Sequence, residues 1–320
     1  MAKSDIDETD LRILAELNRN ARASDIEIAK KAGLSIPTVN LRIDEFEKRG
    51  LIKGYVARID FFKLGYPAYR AYLKLQYANT SSEQRMMDYL KNSPYCRWCG
   101  KTTGRFDLAA SFLSRDTFHF LEVWNDFKRT FRHNIKEAAL VPYYGDLMTG
   151  PPLLKDMSGS ITKDVIGADG NVKIDEKDRI ILRILASNGR ESYSDISRSI
   201  GLTPASVKYR MDKLMEKKVL VSFRALLDYE KLGYSAYKID FNLDSFDGKE
   251  KMEEYLVSKQ GVTNLIRSAG WADVEIRACV RTPKELGSLL NEVQDEFPII
   301  RDCDSYGFSE EVKLTYMPGF

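Results

Sequence analysis

The sequence is poor in the residues that most often carry chemistry. It has two histidines, His119 and His133, in 320 residues. They lack finger-like spacing, and a zinc site needs about four ligands, so no metal site is expected. Four cysteines are too few for a disulfide framework, which makes a reducing cytoplasm the expected location. No run of 18 or more apolar residues is present, so no membrane span is expected. The opening MAKSDIDETD lacks an apolar stretch, so no signal peptide is expected. No glycine-rich phosphate loop, nucleophile elbow or catalytic carboxylate pair stands out, and no cofactor is expected.

What the sequence has is itself, twice. KLGYPAY at Lys63–Tyr69 returns as KLGYSAY at Lys231–Tyr237. At an offset of 168, residues 7–69 align with 175–237 without a gap, with 23 identities in 63 pairs. Ordinary residue usage gives roughly 4 by chance. Beyond Tyr237 the pattern continues at an offset of 166, with GRFDLAASFL (Gly104–Leu113) over GWADVEIRAC (Gly270–Cys279). Two long copies indicate tandem modules, not a solenoid of short repeats.

Each copy reads in two parts. DIDETDLRILAELNRNAR has helical apolar spacing with acidic residues in its first turn. SDIEIAKKAG carries Ser24 as cap, Glu27 three residues later and Gly33 as a stop. In LSIPTVNLRIDEFEKRG, Ser35 caps and Pro37 sits in the first turn. Val39, Ile43 and Phe46 form one buried stripe, which leaves Thr38, Asn40, Leu41 and Arg42 facing elsewhere. LIKGYVARID reads as two short strands about Lys53-Gly54, a hairpin-like wing. The second part alternates strand and helix in the order βαββαβ, a ferredoxin-like α+β sandwich. The expected fold is therefore α+β: a winged helix-turn-helix at 1–64, a ferredoxin-like domain at 65–150, a linker at 151–172, then the same pair at 173–232 and 233–320. KLGY is the joint between the two parts, with Asp60 or Asp228 capping a short turn that Gly65 or Gly233 ends.

This combination resembles the Lrp/AsnC family of transcription regulators, seen twice in one chain. DETDLRILAELNRNAR, GLSIPTVNLRID, EKRGLIKGYVARID and GRFDLAASF carry the likeness in copy one. DEKDRIILRILASNGR and GLTPASVKYRMDKL carry it in copy two. The resemblance implies double-stranded DNA as partner, an effector such as an amino acid at the domain interface, and domain pairing. Here the pairing would form an intrachain pseudo-dimer, with further homo-oligomerisation open. The DNA-contacting candidates are Ser35, Thr38, Asn40, Arg42 and Lys53 in copy one. In copy two they are Thr203, Ser206, Lys208, Tyr209, Arg210 and Lys213. The effector candidates are the paired turns Gly104, Arg105, Asp107 and Gly270, Trp271, Asp273. The same turns read equally as glycine turns whose Asp satisfies backbone N–H groups.

Charge separates the two readers. Residues 35–50 carry Arg42, Lys48 and Arg49 against Asp44, Glu45 and Glu47. Residues 203–218 carry Lys208, Arg210, Lys213, Lys217 and Lys218 against Asp212 and Glu216. Asn40 and Lys208 share a register but offer different donors and acceptors, so unlike half-sites of one asymmetric operator are expected. Against this stands a copy one that serves only as a structural domain. Two other functions compete: a sirohaem decarboxylase-like enzyme, which would need histidine that copy two lacks, and a sensor that binds no DNA. CRWC at Cys96–Cys99 reads as ordinary buried cysteine, since thiols at i and i+3 of a strand face apart unless the strand bends; thiol sensing is the alternative.

Overall fold

The computed structural model describes residues 6–154, 163–167, 171–317 and 319. Copy one begins with α1 (Glu8–Arg19), α2 (Asp25–Ala32) and α3 (Ile36–Lys48). Asp7 and Asp10 close a capping box on α1, Ser24 and Glu27 close one on α2, and Ser35 caps α3. Val39, Ile43 and Phe46 are the buried face of α3. Strand β1 (Ile52–Ile59) follows, then β2 (Ala68–Leu75), α4 (Thr80–Asn92), β3 (Cys96–Thr103), β4 (Leu108–Leu113), α5 (Thr117–Thr130) and β5 (Ile135–Met148). A short strand β6 (Asp164–Ile166) lies within the expected linker, most of the rest of which falls outside the described residues. Copy two repeats the series: α6 (Glu176–Ser187), α7 (Tyr193–Ile200), α8 (Pro204–Glu216), β7 (Leu220–Leu227), β8 (Ser235–Leu243), α9 (Lys249–Ser258), β9 (Val262–Ser268), β10 (Val274–Val280), α10 (Pro283–Glu296) and β11 (Ile300–Leu314).

The wing departs from the hairpin expected. Each copy supplies one strand, and β1 pairs antiparallel with β7 of the other copy. A lone strand leaves its backbone donors and acceptors unpaired, and here the second copy completes them. The helices follow the exchange. Ile181, Leu182 and Leu185 of α6 share a core with Ala57, Ile59 and Phe61 of copy one. Ile13, Leu14 and Leu17 of α1 pack with Ala225, Leu227 and Leu232 of copy two. Equivalent backbone bonds seal both sides: the Ala21 N–H donates to Phe223 O (2.9 Å), and the Gly189 N–H to Tyr55 O (2.7 Å).

The remaining strands form one antiparallel ring. Its order is β2-β4-β3-β11-β8-β10-β9-β5, and β5 returns to β2. The last strand of each copy is long and is shared. Ile135–Tyr143 of β5 pairs with β2, and Tyr143–Met148 pairs with β9 of copy two. In the same way β11 pairs first with β8 and then with β3 of copy one. Strand β6 lies against the end of β5, where Gly145 allows the approach; a Cβ there would stand 2.7 Å from Ile166 O. At the KLGY joints, Gly65 and Gly233 turn with φ of 82° and 81°, which glycine adopts without strain.

Two features occupy the ring interior. Near the pseudo-twofold axis, Arg70 and the equivalent Lys238 both reach Glu275, at 3.3 and 2.6 Å, and Lys238 also pairs with Asp240. Burial opposes ionisation of Glu275, yet Lys238 and Arg70 hold its carboxyl below the ordinary value. Under the β1–β7 ribbon lies a cavity of about 290 Å³.

The two thiols of CRWC face the same way. A register shift between Cys96 and Trp98 bends β3, and Cys96 and Cys99 both lie buried in the copy-one core. Their hydrogen bond pushes the Cys96 thiol up and draws Cys99 down. Of the aromatic residues on α5, Phe120, Trp124 and Phe127 are core, whereas Phe118 is 81% exposed.

Candidate nucleic-acid interface

Helices α3 and α8 follow tight turns closed by Gly33 and Gly201, both left-handed, so each enters at a fixed angle to the preceding helix. At their N-termini, Ser35 accepts the Thr38 N–H at 3.3 Å, and Thr203 accepts the Ser206 N–H at 3.2 Å. The paired hydroxyls lie 2.8 Å apart in both copies. These four residues set the first turn and leave hydroxyl groups at a helix start, a geometry suited to phosphate oxygens.

The outer faces differ. On α3 the exposed positions include Ile36, Asn40, Leu41, Asp44 and Lys48, with Leu41 68% exposed. On α8 they include Lys208, Tyr209, Asp212, Lys213 and Met215, with Tyr209 63% exposed. Lys208 pairs with Asp212 at 2.6 Å and Lys213 with Glu216 at 2.7 Å. Such exposed pairs cost little to open, so both lysines can turn toward an anion.

Arg42 and Arg210 sit differently. Arg42 lies 3.4 Å from Asp7 and 3.3 Å from Asp10; Arg210 lies 2.8 Å from Asp175 and 2.7 Å from Asp178. Each guanidinium ties the third helix of its reader to the capped start of the first. The two carboxylates raise the Arg210 guanidinium above its ordinary value. Sequence reasoning missed these acidic partners, although the signal was there: all three members of the triad are identical in both copies. Lys53 also has a carboxylate near it, Asp228 at 3.2 Å across the ribbon.

The glycine turns meet at one end of the ring. Arg105 lies over the Trp271 ring at 5.3 Å, and Trp271 stacks on Tyr72 at 5.1 Å while its indole N–H donates to Asp240 (2.7 Å). Gly104 and Gly270 carry positive φ. Asp107 accepts the Leu75 N–H and Asp273 the Leu243 N–H, both at 2.7 Å, so each carboxylate closes a turn against the neighbouring strand.

Residues 6–53 match the winged helix-turn-helix DNA-binding family, and residues 174–215 match the AsnC-type helix-turn-helix domain. An uncharacterized HTH-type transcriptional regulator of Pyrococcus horikoshii is 44% identical over 135 residues, which are 42% of this chain and 85% of that protein. The chain belongs to the Lrp/AsnC family of transcription regulators. The HTH-type transcriptional regulator LrpC of Bacillus subtilis is 31% identical over 122 residues, 38% of this chain and 81% of that protein. This Lrp/AsnC chain is thus about twice the length of such relatives, consistent with a tandem duplication. The solved siroheme decarboxylase NirDL shares the fold from end to end, with a TM-score of 0.65 at 13% identity, covering 98% of this chain and 94% of that one. Among the described residues no helix is long and apolar enough to cross a membrane.

Proposed function

We propose that this chain is a cytoplasmic DNA-binding regulator that reads an asymmetric operator, one half-site with α3 and the other with α8. One observation carries the reading: two unlike outer faces stand on readers that the β1–β7 ribbon locks together. Asn40 and Lys208 are the base-reading candidates, and the hydroxyls of Ser35, Thr38, Thr203 and Ser206 are phosphate contacts. Tyr209 and Lys213 extend the contact of α8. Arg42 and Arg210 act by holding the readers in place. Lys53, on the ribbon, exchanges Asp228 for phosphate.

Effector sensing, for a ligand such as an amino acid, is assigned to the Gly104 turn. The Arg105 side chain is 57% exposed, and its approaches to Glu137 and Asp304 are both at 4.0 Å, loose enough to yield to a ligand carboxylate. Trp271 fills the corresponding place in copy two. We read the chain as a regulator and not an enzyme. Histidine chemistry finds no support in the interior: His133 is exposed and stacks on Tyr77, His119 contacts Tyr95, and neither lines the central cavity.

Selection of bound duplexes from a random pool at fixed salt tests the reading. A recurring site with two different halves is expected. Asn40→Ala and Lys208→Ala should each relax preference by about 1–3 kcal/mol, at different base pairs. A palindromic site, or salt-sensitive binding with no enriched sequence, overturns it.

A further inference from the structure

The cavity under the ribbon is lined by more cations than are paired with carboxylates among the described residues. Arg58 pairs with Asp146, Arg224 with Asp164 and Arg277 with Glu311. Lys53, Arg70 and Lys238, which also line it, are matched by Asp228, Glu275 and Asp240. Two further lining cations, Arg97 and Lys313, have no carboxylate partner among the described residues. Arg97 is only 6% exposed. Its guanidinium lies among the rings of Phe61, Tyr143 and Tyr316 at 5.2, 5.6 and 5.4 Å. Lys313 is partly buried and donates to the Ser93 carbonyl at 2.6 Å, at the C-terminal end of α4.

Unused hydrogen bonds gather in the same place. Nine buried side-chain atoms lack a hydrogen-bond partner among the described residues, and six of them belong to residues lining this cavity. They are Asn18 Nδ2, Arg58 Nε and Nη1, Arg97 Nε, Ser111 Oγ and Arg277 Nε. Five of the six are nitrogen donors, and the Ser111 hydroxyl can donate as well. Water could accept those bonds but would leave the buried Arg97 charge standing, with that of Lys313 partly buried beside it, which is costly away from solvent. Burial also pulls the Arg58 guanidinium below its ordinary value, although Asp146 is paired with it.

We infer that this cavity binds a small organic dianion bearing two carboxylates or a phosphate, held chiefly by Arg97, Arg58 and Lys313. The unpaired cations favour a ligand with more than one negative charge, the orphan donors require an acceptor-rich molecule, and the volume of about 290 Å³ limits it to metabolite size. Gly104 and Arg105 are not among its lining residues, and the inference does not rest on the DNA-binding reading, since binding is measured without DNA.

Calorimetry and thermal melting of the full chain with succinate, citrate, inorganic phosphate and pyrophosphate test it, with acetate as the singly charged control. Saturable binding of at least one dianion or polyanion is expected, with none for acetate; carboxylate and phosphate probes separate the two ligand sources. Arg97→Gln should weaken binding roughly tenfold or more. Lys313→Gln, at a less buried position, should weaken it too and serves if the first variant does not fold. Lys213→Gln on α8 should leave it unchanged. Failure of every probe to bind at millimolar concentration, or an equal weakening with Lys213→Gln, overturns the inference.

Discussion

Helices α3 and α8 occupy equivalent places 168 residues apart, and they keep Val39/Val207, Arg42/Arg210 and Asp44/Asp212 in common. Val39 and Val207 are fully buried, and both arginines are tied to the first helix of their reader. What differs lies outside: Asn40 against Lys208 and Leu41 against Tyr209. Most of what the copies share holds the helix in position, and what they do not share meets the solvent. The axis of the ring teaches the complementary lesson. Arg70 and Lys238 are equivalents, yet both converge on Glu275, whose counterpart in copy one is Ala109. In a homodimer a residue at this place would appear twice, and two such carboxylates would face each other. A fused chain can carry one carboxylate between two cations.

The largest expected effect comes from removing that asymmetry. Glu275→Ala leaves Arg70 and Lys238 buried with too little counter-charge and should cost about 3–5 kcal/mol in urea unfolding. The pH dependence has a definite sign. The Glu275 pKa is depressed in the folded state, so its contribution is present above the ordinary value of 4.5 and is lost as pH falls through the depressed one. Stability of Glu275→Gln should therefore fall less steeply across the acid limb, read by melting at a series of pH values. An acid limb identical to that of the parent would remove the ion cluster from the account of stability.

A smaller effect separates the readers by charge. Replacing Lys213 and Lys217 by Gln should lower the slope of log affinity against log salt by about one for each phosphate no longer neutralised. The matched change at Glu45 and Arg49, where α3 places one charge of each sign, should move the slope less. Equal changes from the two pairs would deny the difference between them. The smallest effect concerns a backbone position. Lys218 follows α8 with φ 54°, and the equivalent Gly50 has φ 66°. Lys218→Gly should raise stability by about 1 kcal/mol, because a side chain strains the left-handed conformation.

Much of this was legible in the sequence. The caps at Ser24 and Ser35, the stripe Val39, Ile43 and Phe46, and the βαββαβ order are local patterns, and local patterns survive translation into structure. The KLGY joint was legible for the same reason: glycine and its preceding Asp specify a turn without outside help. The ribbon was not. A strand's own residues look the same whether its partner lies in its own copy or the other, so LIKGYVARID could not declare that it pairs with β7. The ion pairs of Arg42 were obscured by chemistry, since guanidinium suits phosphate, guanine and carboxylate alike. The cavity was beyond reach, because Arg58, Arg97 and Lys313 come from strands far apart in the chain. CRWC was misleading in a simpler way: a one-residue bulge reversed the face of a thiol.

The two shared strands, β5 and β11, also decide how the protein responds to its own abundance. Each runs for part of its length in the other copy's sheet, and the covalent chain keeps those halves together at any dilution. Separate subunits must first find each other, so their paired form fades with the square of concentration when scarce. Here both readers travel in one polypeptide, so their pairing needs no encounter between chains.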